Sequence, residues 1–402
     1  MSRVAICALA LLVCLTAPMQ SSNAETDGVQ QTMREFFVNL RLLLKDVAAQ
    51  RTGASHSSTL KQRTARRAQV RDALYAIDDQ AALLSGHART DDELTGFLAA
   101  SLARMATAAA YRLDTGDDKN WQRHLFKMVD LCVACHSRHA SGGLPQGSDF
   151  LSDDILRTLP LASQAELLTA TRRFRAAFNV WREVIDRKLA QWVARPDVKV
   201  GAPQAHEFFR PLISALVIAT RLLNDFDAAR DLLISVRDNS NVPVYLHDTV
   251  AHFARTLPAL RRELRDTDSQ RVESIEALLR PIPELERQVT AGGTLRDVVA
   301  SALLYRLIDG AQLKGQDRAR ALYLVGVVER RLQARKLPPG QRAWLPQTEL
   351  FLELAILAAP DSDTARDSYV LLEQVVQAAF PGSMPAEVST HLEMLKATSG
   401  AP

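Results

Sequence analysis

Cysteine is almost missing from this chain: four residues in 402. Two of them, Cys7 and Cys14, fall in an N-terminal leader and are lost with it. A structural zinc site needs about four ligands, but the remainder offers two thiols, no second CxxC and no HxxxH. Long apolar runs are also lacking. After the leader none reaches the ~18 residues of a membrane span. Net charge is small, +3 with 24% charged residues of both signs, which argues neither for nucleic acid nor for a strongly acidic partner. The chain has no Gly-rich phosphate loop, no GxSxG and no HExxH, so the common phosphate-binding, serine-hydrolase and zincin constellations are excluded.

The leader reads as a secretory signal over residues 1–24. Arg3 supplies the positive start, residues 4–15 the apolar stretch, and Ser22-Asn23-Ala24 a small-residue cleavage site. A lipid anchor on Cys14 would want a small residue before it, and Val13 is a poor fit. The expected destination is the periplasm, without a lipid anchor.

The two remaining cysteines stand in Cys132-Val133-Ala134-Cys135-His136, which reads as an attachment site for c-type haem. On a helix these three residues fall at i, i+3 and i+4, so one face presents two thiols and an imidazole. The thiols would add to the haem vinyl groups as thioethers, and His136 would ligate the iron. A redox dithiol would want a βαβ context with the first Cys at a helix N-terminus, whereas this pair ends a helix. A disulfide is compatible with the spacing but gives His136 no role.

Around the motif the periodicity predicts four amphipathic helices. The first, about 28–50, carries Val29, Met33, Phe36, Leu40, Leu43 and Val47. The second, about 59–85, carries Val70, Leu74, Ile77, Ala81 and Leu84. Its basic first half (Lys61, Arg63, Arg66, Arg67, Arg71) reads as a solvated face. The third, about 92–113, carries Leu94, Leu98, Met105 and Ala109. The fourth, about 118–138, carries Trp121, Leu125, Met128, Cys132 and Cys135.

Four helices with CxxCH near the end of the last resemble class II c-type cytochromes, the cytochrome c-prime and c556 group, over roughly residues 27–140. The resemblance implies that His136 is the proximal ligand and that Met33 lies over the opposite haem face. Arg138 matches the basic residue that follows the motif, although the usual aromatic companion is missing. A Met at the first-helix position implies six-coordinate iron, and an apolar residue there implies an open site for small gases. Many members of the group form homodimers, and the resemblance extends that possibility here.

Ser141-Gly142-Gly143-Leu144-Pro145 breaks the helical pattern. The expected organisation is therefore a leader (1–24), a four-helix cytochrome bundle (25–144), a linker (145–160) and a second helical domain (161–402). Within the second domain a long amphipathic segment is predicted over 167–193. Helices are predicted at about 204–223, 225–237, 243–256, 258–265, 268–291, 294–312, 317–335, 345–358 and 363–379. The turns at Leu223-Asn224-Asp225-Phe226-Asp227-Ala228-Ala229 and Lys314-Gly315-Gln316-Asp317-Arg318-Ala319-Arg320 resemble those of tetratricopeptide repeats. The full 34-residue signature is absent, so the expectation is an irregular α-helical repeat.

The expected fold class is thus all-α, with one covalently attached haem c. The expected function is electron transfer without enzymatic catalysis, the helical repeat docking a periplasmic redox protein. The alternatives are a gas-binding haem sensor and a haem-stabilised scaffold.

Overall fold

The computed structural model describes residues 21–51, 59–87, 93–116, 156–193, 202–242, 244–266, 272–279, 291–310, 313–336, 346–379, 384 and 386–401. It also describes residues 121, 122, 124, 125, 128, 129, 131, 132 and 135. Helices and turns account for the secondary structure among these, with no strand, so the chain is all-α. It divides into two compact units, one ending at Met128 and the other beginning at Val129. That division falls inside the predicted fourth helix, ahead of the cysteines. Most of the leader, residues 1–20, lies outside the described residues.

The first unit contains α1 (Ser21–Arg51), α2 (Leu60–His87) and α3 (Glu93–Asp114). α2 packs along both of the others. Phe36, Leu40, Leu43 and Val47 of the first predicted stripe are buried, as are Val70, Leu74, Ile77 and Ala81 of the second. Ala106, Ala109 and Ala110 bring α3 in close by their small volume. α2 opens on a reciprocal cap. The Gln62 backbone N–H donates to Thr59 Oγ1 at 3.3 Å, and the Thr59 N–H donates to Gln62 Oε1 at 2.8 Å. Two donors that a helix start leaves orphaned are thereby satisfied. The basic face of α2 is largely solvated, as expected, with two exceptions. Arg66 pairs with the buried Asp46 of α1, and Arg67 donates to the Leu113 carbonyl in the last turn of α3. There a cation meets the negative end of the helix dipole.

The second unit contains α4 (Leu161–Ala170), α5 (Phe174–Val193), α6 (Ala202–Val217), α7 (Phe226–Arg237), α8 (Val244–Asp266) and α9 (Val272–Leu279). It continues through α10 (Ala291–Gly310), α11 (Gly315–Lys336), α12 (Pro346–Ala358), α13 (Asp363–Ala379) and α14 (Ala386–Ser399). Packing runs mostly between chain neighbours, while α10 and α11 also reach back to α6.

Three details depart from the sequence expectation. The segment 167–193 is two helices rather than one, because the chain turns at Thr171-Arg172. Val244–Asp266 is one helix where two are expected. The buried stripe Leu246, Val250, Phe253, Leu257, Leu260 runs through Pro258 without losing its 4-3-4-3 rhythm. That burial outweighs the ~3 kcal/mol typical of an interior proline. Helix α14 has no counterpart among the predicted helices. It packs Leu392 and Leu395 against Ile356, Tyr369, Leu372 and Val376 of α12 and α13.

Two features fix how the central helices of this unit meet. A Cβ on Gly326 of α11 would stand 2.8 Å from Leu352 Cδ2 and 2.9 Å from its Cγ, so the α11–α12 approach requires glycine. Gly326→Val is expected to cost about 1–3 kcal/mol through overpacking, read as a lowered melting temperature. The other feature is a π turn, Ile218–Leu222, that ends α6. It carries Arg221 into the interior, where Nη1 donates to Glu329 Oε1 at 2.7 Å and to Ser301 Oγ at 3.1 Å. Tyr305 Oη donates to the same carboxylate at 3.2 Å, and the Arg221 guanidinium stacks 4.2 Å from the Tyr305 ring centroid. The two charged side chains are only 5% and 6% exposed.

Candidate functional site

The described residues of the predicted fourth helix are helical from Trp121 to Cys135. Trp121, Leu125, Met128 and Cys132 are all buried, which matches the predicted stripe. Val129 and Leu131 are buried as well, so the covered face is broader than a single seam. This is what draws the motif inward. The run of apolar side chains secures the segment, and the cysteines continue its inward face.

Cys132 is buried and Cys135 half-buried. Two sulfurs three residues apart, each on a helical residue, are what a doubly thioether-linked macrocycle asks of the protein. His136 and Arg138 lie outside the described residues. Among the described residues no group of three or more His, Cys, Asp or Glu gathers as a direct metal cage.

Met33 is half-buried on α1, between the buried Thr32 and the exposed Arg34. It belongs to the first unit and the thiols to the second. Of the other methionines weighed, Met128 is fully buried in the helical stripe and Met105 is half-buried on α3. His252 is half-buried within hydrogen-bond reach of Thr256, 3.4 Å away. Burial pushes its imidazole below the usual range, helped by Arg255.

One residue near the motif carried no signal in the sequence. The last residues of the predicted linker are not loose: Leu156 and Leu159 are buried, and they lead into α4. That helix ends in a Schellman turn. The Arg173 N–H donates to the Leu168 carbonyl at 2.8 Å, and the Arg172 N–H donates to the Thr169 carbonyl at 3.0 Å. Arg172 takes the left-handed position with φ 62°. Its guanidinium lies within electrostatic reach of Cys135. Burial pushes it below its usual range, and the electrostatic influence of Cys135 opposes that shift. Nothing in Thr171-Arg172-Arg173 distinguishes this arginine from the other cations of the chain.

No family model matches this chain, and no curated protein or solved structure matches it.

Proposed function

We propose that the chain is an exported monohaem c-type cytochrome that carries electrons, with its helical second unit serving as a docking platform for a periplasmic redox protein. The observation that carries this reading is the pair Cys132 and Cys135. They stand at CxxCH spacing on helical residues, Cys132 buried and Cys135 half-buried, following a sequence that reads as an export leader. A bound haem supplies one-electron chemistry. The protein's share is to anchor it through the two sulfurs, to ligate its iron through His136, and to close its other face with Met33. A Met/His pair raises a haem's reduction potential, which suits a carrier that accepts electrons readily. Arg138 stands beside the motif as a cation for the cofactor's charged edge. The bundle of four helices and the repeat-like second domain belong to the same proposal.

The test is the absorption spectrum of the haem-loaded protein, reduced, with and without carbon monoxide. Slow or absent binding by the wild type, and rapid binding by Met33→Leu, is the expected result. Rapid binding by the wild type would favour the gas-sensing alternative. Identical spectra for the wild type and Met33→Leu would remove Met33 as a ligand.

A further inference from the structure

Helix α14 is fastened to the second unit along one narrow face. Of its described residues only Leu392, Leu395 and Ser399 are buried. The two leucines rest on α12 and α13, and the Thr398 carbonyl accepts from the Asp361 N–H at 3.2 Å. A third attachment is ionic. His391 Nε2 stands 3.1 Å from Glu353 Oε2 of α12, with the Glu353 side chain 10% exposed and that of His391 41%. Glu353 Oε2 is shut off from solvent and accepts no hydrogen bond. The contact is thus one of charge, and it holds only while the imidazole carries its second proton.

The neighbouring groups offer Glu353 no substitute cation. Glu349, the only other charged residue of α12, lies one turn earlier on the same face and is buried. On α13 the Tyr369 hydroxyl donates to Glu373 at 3.3 Å. Burial, with Glu373 and Glu393 of α14 nearby, pushes that hydroxyl up to about 12, so it stays neutral. Asp367 lines a cavity with Tyr323 of α11, and Arg366 pairs with Asp363. On α11, which meets α12 where Gly326 abuts Leu352, Arg320 pairs with Glu276, Glu329 with Arg221, and Arg331 and Arg335 with Asp297. Arg330 donates to Gln374. Lys396 lies five residues past His391, on another face of α14. Among the described residues His391 is the only cation in ion-pair contact with Glu353.

We infer that α14 is a proton-adjusted cap on the end of the second unit, clamped to Glu353 by His391 in mild acid and loosened as pH rises. The sign follows from linkage. Docked, His391 faces a buried carboxylate; undocked, it faces water. The docked form holds the proton more tightly, so acid favours docking. The gain is fully present below about pH 6.5, where an imidazole ordinarily ionises, and is lost as pH rises above it. The leucine and Thr398 attachments do not titrate, so docking weakens without being abolished. Opening a terminal helix leaves the rest of a fold in place, and here it uncovers Ile356, Tyr369, Leu372 and Val376.

The experiment is hydrogen–deuterium exchange of the full chain from about pH 5.5 to 8.5, read by mass spectrometry as protection relative to the unstructured peptide at the same pH. Wild-type α14 peptides are expected to lose protection about three- to tenfold across this range, water screening of the half-exposed imidazole setting the ceiling. Peptides from α13 are expected to hold theirs. His391→Lys keeps its charge throughout and is expected to stay protected. His391→Asn and Glu353→Gln are expected to show no pH step.

Wild-type α14 protection that ignores pH would overturn the inference. So would a step that survives in His391→Asn, which would assign it to another group, or in Glu353→Gln, which would assign it to another acid such as Glu349. Equal losses in α13 and α14 would overturn it too, since the whole unit would then be responding.

Discussion

On the proposed haem reading, replacing Cys132 and Cys135 together by alanine is expected to abolish covalent haem attachment, and each single replacement to leave one thioether. Denaturing gels stained for haem, and the pyridine haemochrome spectrum, which shifts with the number of vinyl groups saturated, read the outcome directly. The effect is large because the other cysteines, Cys7 and Cys14, lie ahead of the expected cleavage site. The apoprotein control matters as much. Cys132 is buried, and trimming a small buried side chain to alanine costs about 1 kcal/mol. The double variant should therefore fold with an unchanged helical circular dichroism spectrum. Loss of haem with retained helicity places the defect at attachment. A double variant that still carries haem through a covalent bond would refute the role given to the motif.

The second large effect lies far from the thiols. Glu329→Leu is expected to destabilise the second unit by about 3–5 kcal/mol, because it leaves the Arg221 charge buried without its carboxylate. In a unit of this size that corresponds to a fall in melting temperature on the order of 10 °C. Arg221→Met in the same background should restore most of the loss, since two apolar side chains can fill the space of an ion pair without its desolvation penalty. Thermal melts of the two single variants and the double variant form the required cycle. Additive losses in the double variant would show that the two residues act independently, against the 2.7 Å contact between them. Tyr305 and Ser301 also lean on the same carboxylate. Tyr305→Phe should therefore be far milder, about 1 kcal/mol for one hydrogen bond.

Much of the helical framework was legible because burial follows the 3.6-residue period. Phe36 to Val47, Val70 to Ala81 and Trp121 to Cys132 declare their inward faces by spacing alone. The failures have a common cause, which is that local punctuation is weaker evidence than the stripe it interrupts. Pro258 looks like a break, yet Phe253, Leu257 and Leu260 stay in phase across it. The turn at Thr171-Arg172 lacks glycine and proline, and apolar residues continue on either side, so nothing marks it. In the site, the two thiols announce themselves by spacing. Arg172 holds its left-handed turn (φ 62°) through a backbone conformation that its residue type does not advertise. Glu329 is similarly hidden. In sequence it is one acid in a helix, and its partner is 108 residues away.

The π turn at Ile218–Leu222 bears on how the second unit can tolerate insertions and deletions. A π turn holds one residue more than the α-helical turn it replaces. Each residue added to a helix rotates the downstream side chains by about 100°. Arg221 therefore faces Glu329 by virtue of chain length at that point as well as by its own chemistry. Losing a single codon within the bulge would restore regular helix and swing position 221 away from the carboxylate, with every side chain of the network still encoded. The buried ion pair is thus tied to reading-frame-preserving indels, a kind of variation that substitution scans of Arg221 and Glu329 leave unsampled.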